Sequence, residues 1–249
     1  MKLFNSVGPN PHVVRMFIAE KGLDIPRQEV DLMGGENRRP PFNSTVNVAG
    51  QLPALELDNG RTISEITAIC EYLEEVGSGP ALIGSTPEER AETRMWVRRI
   101  DLNICEPMAN GFRAAEGRAL FANRIKLVGA DGAKELKEIA RDRLIWLDGL
   151  LAGRTWVAGE RFTLADILLF CFLAFGPRSD SRYLKKRGTS GPGSSAPRPG
   201  PARQPEDQGR GVGASGRDLA ALARPVFAPN RGGSGLFRRA RPGWSLRAA

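Results

Sequence analysis

Histidine and paired cysteine are nearly missing from this chain of 249 residues. His12 is the only histidine, and the three cysteines, Cys70, Cys105 and Cys171, stand far apart with no CxxC pair. Neither a disulfide framework nor a zinc site is suggested, and no metal is expected. The cysteines read as small buried apolar residues. The opening Met1-Lys2-Leu3-Phe4-Asn5-Ser6 has no apolar core of the kind a signal peptide needs, so none is expected. Long hydrophobic runs are also missing. The longest spans residues 167–175, nine in all, too short to cross a bilayer. A cytoplasmic protein in a reducing compartment follows as the expectation, without a membrane partner.

What is plentiful is positive charge, but only at one end. The formal charge is +8, while residues 177–249 hold 13 Arg and 2 Lys against 3 Asp and 1 Glu. That segment carries +11, so the 176 residues before it carry a net −3 and form a mildly acidic body. The basic segment also holds 12 Gly, 9 Pro and 8 Ser, a composition that does not support a packed core. Two explanations stand: a disordered tail, or a stretch read out of frame from a G+C-rich gene. Its aromatics are too scattered to interleave with the arginines, so no nucleic-acid partner is expected.

The body changes character near residue 80. Residues 2–5 read as a strand and 11–21 as a helix, with Val13, Val14, Phe17 and Ile18 on one face and Gly22 as its stop. Residues 27–32 form a second strand signal, and 34–48 are irregular around Pro40-Pro41. Two short strands flank Asp58-Asn59-Gly60, the strongest hairpin signal present. A helix then starts near Glu65. The order β-α-β-irregular-β-β-α defines an α/β unit over residues 1–78. After Gly77-Ser78-Gly79-Pro80 the strand signals stop. Thr86-Pro87-Glu88-Glu89 opens a helix that must bend or end near Pro107. Residues 134–151 are amphipathic through Leu136, Ile139, Ala140, Leu144, Leu147 and Leu151. Thr163-Leu164-Ala165-Asp166 is a second capping box, and the helix it opens is apolar all round, hence central. Residues 86–176 thus read as an all-helical domain, left incomplete because the basic segment after it cannot supply further helices.

Four local patterns in this order resemble the cytosolic glutathione S-transferase family. They are Pro9-Asn10-Pro11-His12, similar to the active-site loop of bacterial nu-class members; Gly50-Gln51-Leu52-Pro53-Ala54-Leu55, similar to the family's segment before a cis-proline; Ile63-Ser64-Glu65-Ile66-Thr67-Ala68-Ile69; and Val157-Ala158-Gly159 with the Thr163 capping box. The resemblance covers residues 1–176 and implies a thioredoxin-like N-terminal domain, an all-α C-terminal domain, here truncated, and an atypical tail. It also implies glutathione as substrate, a small electrophile as co-substrate, and a homodimer. Departures are visible. The usual hydroxyl position in the first loop is Gly8, the Glu-Ser pair is Glu65-Ile66, and Asn-Pro is Asn47-Val48.

A thiol of pKa near 8.5 is only about 3% ionised at pH 7, and lowering that pKa by two units corresponds to roughly 2.7 kcal/mol. Asn10, at a helix start, could donate an N–H to the glutathione sulfur, although Asn before Pro also makes a good N-cap pair without any ligand. Ser6 is the second candidate donor, against the reading of a surface serine at a strand end. Leu52, with a cis bond to Pro53, would offer its backbone N–H and C=O to an extended peptide. Glu65 would meet the glutathione amino group and the Ile66 N–H its carboxylate; the alternative is an ordinary first-turn Glu. Gln51, Arg38 and Arg39 could hold the glycyl carboxylate. Met108, Phe112 and Trp96 line a pocket or belong to the helix core. His12 reads as a helix-surface residue ahead of a general base. The expected activity is glutathione transfer, or glutathione-dependent peroxide or disulfide reduction; the alternative is a non-catalytic binding or interaction module of the same fold.

Overall fold

The computed structural model describes residues 1–175. The tail at 177–249, whether disordered or out of frame, and the incompleteness of the helical half lie outside the described residues. The N-terminal part is the expected thioredoxin-like α/β unit. Strands β1 (Lys2–Asn5), β2 (Arg27–Glu29), β3 (Ala54–Glu56) and β4 (Thr62–Ser64) form one sheet in the order β2-β1-β3-β4. β1 and β2 are parallel, joined through helix α1 (Pro9–Glu20); β3 runs antiparallel to both β1 and β4. Helix α2 (Ile66–Val76) follows β4 directly. The turn at Asp58-Asn59-Gly60 uses a left-handed Gly60, as the hairpin signal requires.

The register decides where a site can form. Phe4 pairs with Ala54, Ala54 with Ser64, and Asn5 with Glu29. The C-terminal ends of β1, β2 and β4 and the N-terminal start of β3 therefore share one end of the sheet. Four chain segments leave from that end: 6–8, 30–39, 51–53 and Glu65.

The helical half contains α3 (Pro87–Ile100), α4 (Glu106–Ala114), the short α5 (Arg118–Phe121), α6 (Ala130–Leu150) and α7 (Leu164–Phe175). Between α3 and α4 the chain widens into a π turn over Asp101–Cys105, closed by the Glu106 N–H on the Asp101 carbonyl. Pro107 cannot donate to the carbonyl four residues back, and the extra residue accommodates its ring, so the helix shifts register there instead of ending. α7 is the predicted central helix. Leu164, Ala165, Ile167, Leu168, Leu169, Cys171, Phe172 and Leu173 are all buried, and both α1 and α3 pack on it. Its cap is the Thr163–Asp166 pair. The Thr163 N–H and hydroxyl both donate to Asp166 Oδ2, at 2.8 and 3.0 Å, and the Val157 N–H donates to Oδ1 at 2.8 Å. In α6 the buried stripe is Ala133, Ala140 and Leu147; Ile139, expected on that face, is half exposed.

A buried ion pair between the end of α1 and α2 anchors the segment that leads to the helical half. Lys21 Nζ lies 2.8 Å from Glu74 Oε2 and 3.0 Å from the Pro80 carbonyl, and the Ile83 N–H donates to Glu74 Oε1 at 2.9 Å. Burial opposes ionisation of Glu74, but the Lys21 ammonium and the Ile83 N–H outweigh it and hold the carboxyl below its ordinary range. Gly79 is required beside this ion pair, because a Cβ there would stand 2.3 Å from the Lys21 carbonyl oxygen.

Candidate active site

The first segment at the shared sheet end runs from Ser6 into α1, and two expectations are corrected there. Ser6 is buried, not a surface residue, and its hydroxyl donates to the Val30 carbonyl at 2.8 Å, tying β1 to the end of β2. Asn10 is not the N-cap. Gly8 caps α1 with φ 114°, a conformation that favours glycine, and Pro9 is the first helical residue. Proline carries no N–H, so Pro9 and Pro11 leave the Asn10 N–H as the one backbone donor among the first three helical positions. The Asn10 side chain is half buried and makes no hydrogen bond among the described residues. His12, two residues on, is half buried with its ring edge-on to Phe170 at 6.3 Å, so it is not a free-standing surface histidine.

The second segment is a braced edge. Arg38 Nη1 donates to the Ala49 carbonyl at 3.1 Å, Asn37 Nδ2 to Gly50 at 2.6 Å, and Asn47 Nδ2 to Gln51 at 3.0 Å. These three bonds hold residues 49–51 and leave the N–H and C=O of Leu52 without backbone partners among the described residues. The Leu52–Pro53 bond is cis. Gly50 has φ 58°, and a Cβ there would be 2.7 Å from the Asn37 carbonyl oxygen, so only glycine fits. Gln51 is exposed. Asn37 and Asn47 escaped the sequence reading as braces, because short polar residues in an irregular stretch carry no periodic signal.

The third segment is the start of α2. Glu65 is its N-cap, with φ 73° and ψ 126°. It is the one non-glycine residue with positive φ among those described, a strain of about 1–3 kcal/mol of the kind found at ligand sites. Its side chain is exposed, and the N–H groups of Ile66, Thr67 and Ala68 have no acceptor among the described residues. Asp101, on the π turn, lies within electrostatic reach of Glu65. Burial first, then the neighbouring Glu106 charge, raises the Asp101 carboxyl above its usual range; Arg98 opposes this, and Glu65 adds to it. Sequence reading passed over Asp101; a helix forced to widen before Pro107 is the signal that marks it.

Other candidates fall in the core. Trp96 and Met108 are buried, and Trp96 lies between the guanidiniums of Arg99 and Arg154 at 5.0 and 5.4 Å. Phe112 is half buried and meets Phe175 edge-on at 4.9 Å. Cys70 and Cys105 are buried, which pushes both thiols well up and leaves them unreactive. Among the described residues no three His, Cys, Asp or Glu side chains gather as metal ligands, and no helix is long and apolar enough to cross a membrane.

Comparison with known proteins points the same way. The family described as glutathione S-transferase, N-terminal domain, matches residues 7–76, and the glutathione S-transferase C-terminal domain family matches 127–188. Glutathione S-transferase 2 of Saccharomyces cerevisiae is 32% identical over 175 residues, covering 68% of this chain and 72% of that protein. Maleylacetoacetate isomerase of Pseudomonas aeruginosa is 33% identical over 161 residues, 63% of this chain and 71% of that protein. The crystal structure of a glutathione S-transferase domain-containing protein from Marinobacter aquaeolei matches with a TM-score of 0.68 at 30% identity, covering 92% of this chain and 98% of that one.

Proposed function

The chain belongs to the glutathione S-transferase family, and from that premise we propose that it is a glutathione transferase whose sheet end binds the tripeptide along three successive anchors. The unpaired Leu52 backbone pairs with the cysteinyl residue as an added strand would. Glu65 takes the γ-glutamyl ammonium, with Asp101 beside it, and the N–H groups from Ile66 onward take the γ-glutamyl carboxylate. Gln51 and Arg38 hold the glycyl carboxylate. The sulfur then lies at the start of α1. There the Asn10 side-chain amide and N–H, with the positive end of the helix, favour thiolate over thiol. The Ser6 hydroxyl, already donating to Val30, is the weaker candidate. The thiolate attacks an electrophilic carbon; the new C–S bond forms as the leaving group departs with its electron pair. Reduction of peroxide or disulfide by the same thiolate is the second outcome of this site. The molecule works in the cytoplasm as a homodimer.

The observation that carries this reading is the strained Glu65 beside three free N–H groups, on the sheet end that also bears the open Leu52 edge. The full chain should be retained on immobilised glutathione and eluted by free glutathione. Glu65→Ala should weaken binding roughly 10- to 100-fold, the scale of a hydrogen bond to a charged group, with an unchanged circular-dichroism spectrum. A folded wild-type chain that flows through the resin would reject the assignment.

A further inference from the structure

Across the sheet end from Glu65, arginines collect without carboxylates. Arg38 donates to the Ala49 carbonyl, Arg113 to Asn110 Oδ1 at 2.8 Å, and Arg124 to the Leu32 carbonyl at 3.0 Å. Among the described residues none of the three forms an ion pair, whereas Arg94 and Arg161 pair with Glu71 and Glu92. The nearby acids are engaged elsewhere. Asp31 Oδ1 accepts the Gly34 N–H, Glu36 Oε2 the Asp31 N–H, and Glu116 binds Lys137. Arg38 Nε and Arg124 Nη1 are buried without any acceptor.

Position gives this cluster its meaning. Arg124 reaches from beyond α5 to Leu32, two residues past the Val30 carbonyl that Ser6 engages, and its guanidinium also approaches Gly35. Arg38 wraps the segment just before Gln51 and Leu52. Arg113 and Arg124 flank the Phe121 ring at 5.9 and 6.0 Å. Gly117 lets Phe112 and Phe121 approach: a Cβ there would stand 2.9 Å from Phe112 Cε1 and 3.1 Å from Phe121 Cδ2. Burial and then the Arg38 charge push the Arg124 guanidinium below its ordinary value, so the two cations sense each other.

We propose that the seam where Arg124 meets residues 32–38 receives a carboxylate, seated by Arg124 with Arg38 beside it and with the Phe121 ring next to Arg124. An anion there would relieve like-charge repulsion and give the buried, unpaired guanidinium donors an acceptor with planar, two-pronged geometry. The carboxylate comes from an unsaturated or aromatic electrophile, which the neighbouring Phe121 ring favours; the placement rests on the glutathione reading above, in which the glycyl end goes to Gln51 and Arg38, and capture of that end by Arg124 instead is an outcome of the test.

The test titrates the full chain calorimetrically with 4-nitrobenzoate and its uncharged isostere 4-nitrobenzamide, without glutathione, and separately with glutathione and its glycyl monoethyl ester. The benzoate should bind about tenfold tighter than the amide, the scale of one charge-assisted hydrogen bond. That preference should shrink with added salt. Arg124→Gln should abolish it, and Arg124→Lys should keep part of it. If Arg124→Gln instead erases the preference for glutathione over its ester, the glycyl end is the source. A wild-type chain that distinguishes neither pair overturns the proposal, an outcome that needs no variant to fold. Retention on glutathione resin without carboxylate preference sinks this inference alone. Preference for the benzoate without retention sinks the glutathione reading alone.

Discussion

Helix α1 begins Gly8-Pro9-Asn10-Pro11 and helix α2 begins Glu65-Ile66-Thr67-Ala68, and the two starts face the same end of the sheet. Both offer the positive end of a helix dipole. They differ in what they leave free. Two prolines strip α1 of donors until one residue, Asn10, holds the only backbone N–H among its first three positions and a side-chain amide beside it. α2 leaves three N–H groups open beside a carboxylate held at φ 73°. A sulfur anion is large and diffuse, and a positive end with one directed donor suits it. An amino-acid head with fixed ammonium and carboxylate needs several directed partners of both signs, and the α2 start has them. The comparison shows that a helix dipole is generic, and that specificity lies in which donors the sequence leaves unpaired.

The largest effect that tests this contrast is at Asn10. Asn10→Ala should raise the thiol pKa of bound glutathione by about one unit, read from thiolate absorbance against pH, and slow turnover of a generic electrophile about tenfold. Because Asn10 caps nothing, stability should change by less than the ~1 kcal/mol of a lost N-cap. An unchanged thiol pKa would move the role to the helix dipole or to Ser6.

The α2 start should respond in the opposite way. Glu65→Gly relieves the positive φ, so the melting temperature should rise by the equivalent of about 1 kcal/mol while glutathione affinity falls. A variant that both binds and melts like the wild type would show that the strain serves no ligand.

The smallest effect concerns pH. Asp101 is raised by burial and by Glu106, so it stays partly protonated above the range of about 3.9 where an ordinary Asp titrates. An arriving ammonium favours the ionised form. Glutathione affinity should therefore tighten as pH rises through the raised pKa, with proton release on binding. The folding contribution has the other sign, since the folded state holds that proton more firmly and loses stability as pH rises through the same range. Asp101→Asn should flatten both profiles; a wild-type affinity already flat across mildly acidic pH removes Asp101 from the site.

Much of the framework was legible in the residues. Periodicity located α1, α2, α6 and α7, the Asp58-Asn59-Gly60 turn marked the hairpin, and the Thr86 and Thr163 boxes marked helix starts, because these signals are local and depend on a few neighbouring residues. The same locality misled at Asn10. An Asn before Pro is a good cap by itself, yet the chain had to turn two residues earlier, where Gly8 alone tolerates the angle after β1 ends. Ser6 looked like a surface residue because nothing in its neighbourhood announces that β2 ends against it.

By itself the sequence determined the order of elements, the apolar helix at the centre, and the helix starts marked by the Thr86 and Thr163 capping boxes. It also determined that Glu65 heads a helix. Only the tertiary structure decided that Glu65 holds a positive φ, that Asp101 sits within reach of it, that Leu52 keeps its backbone unpaired, and that Arg124 crosses to Leu32, 92 residues away. The reason is physical. Helix periodicity and caps arise from contacts within a turn or two, whereas a binding site is a meeting of chain ends that only sheet register and helix packing bring together.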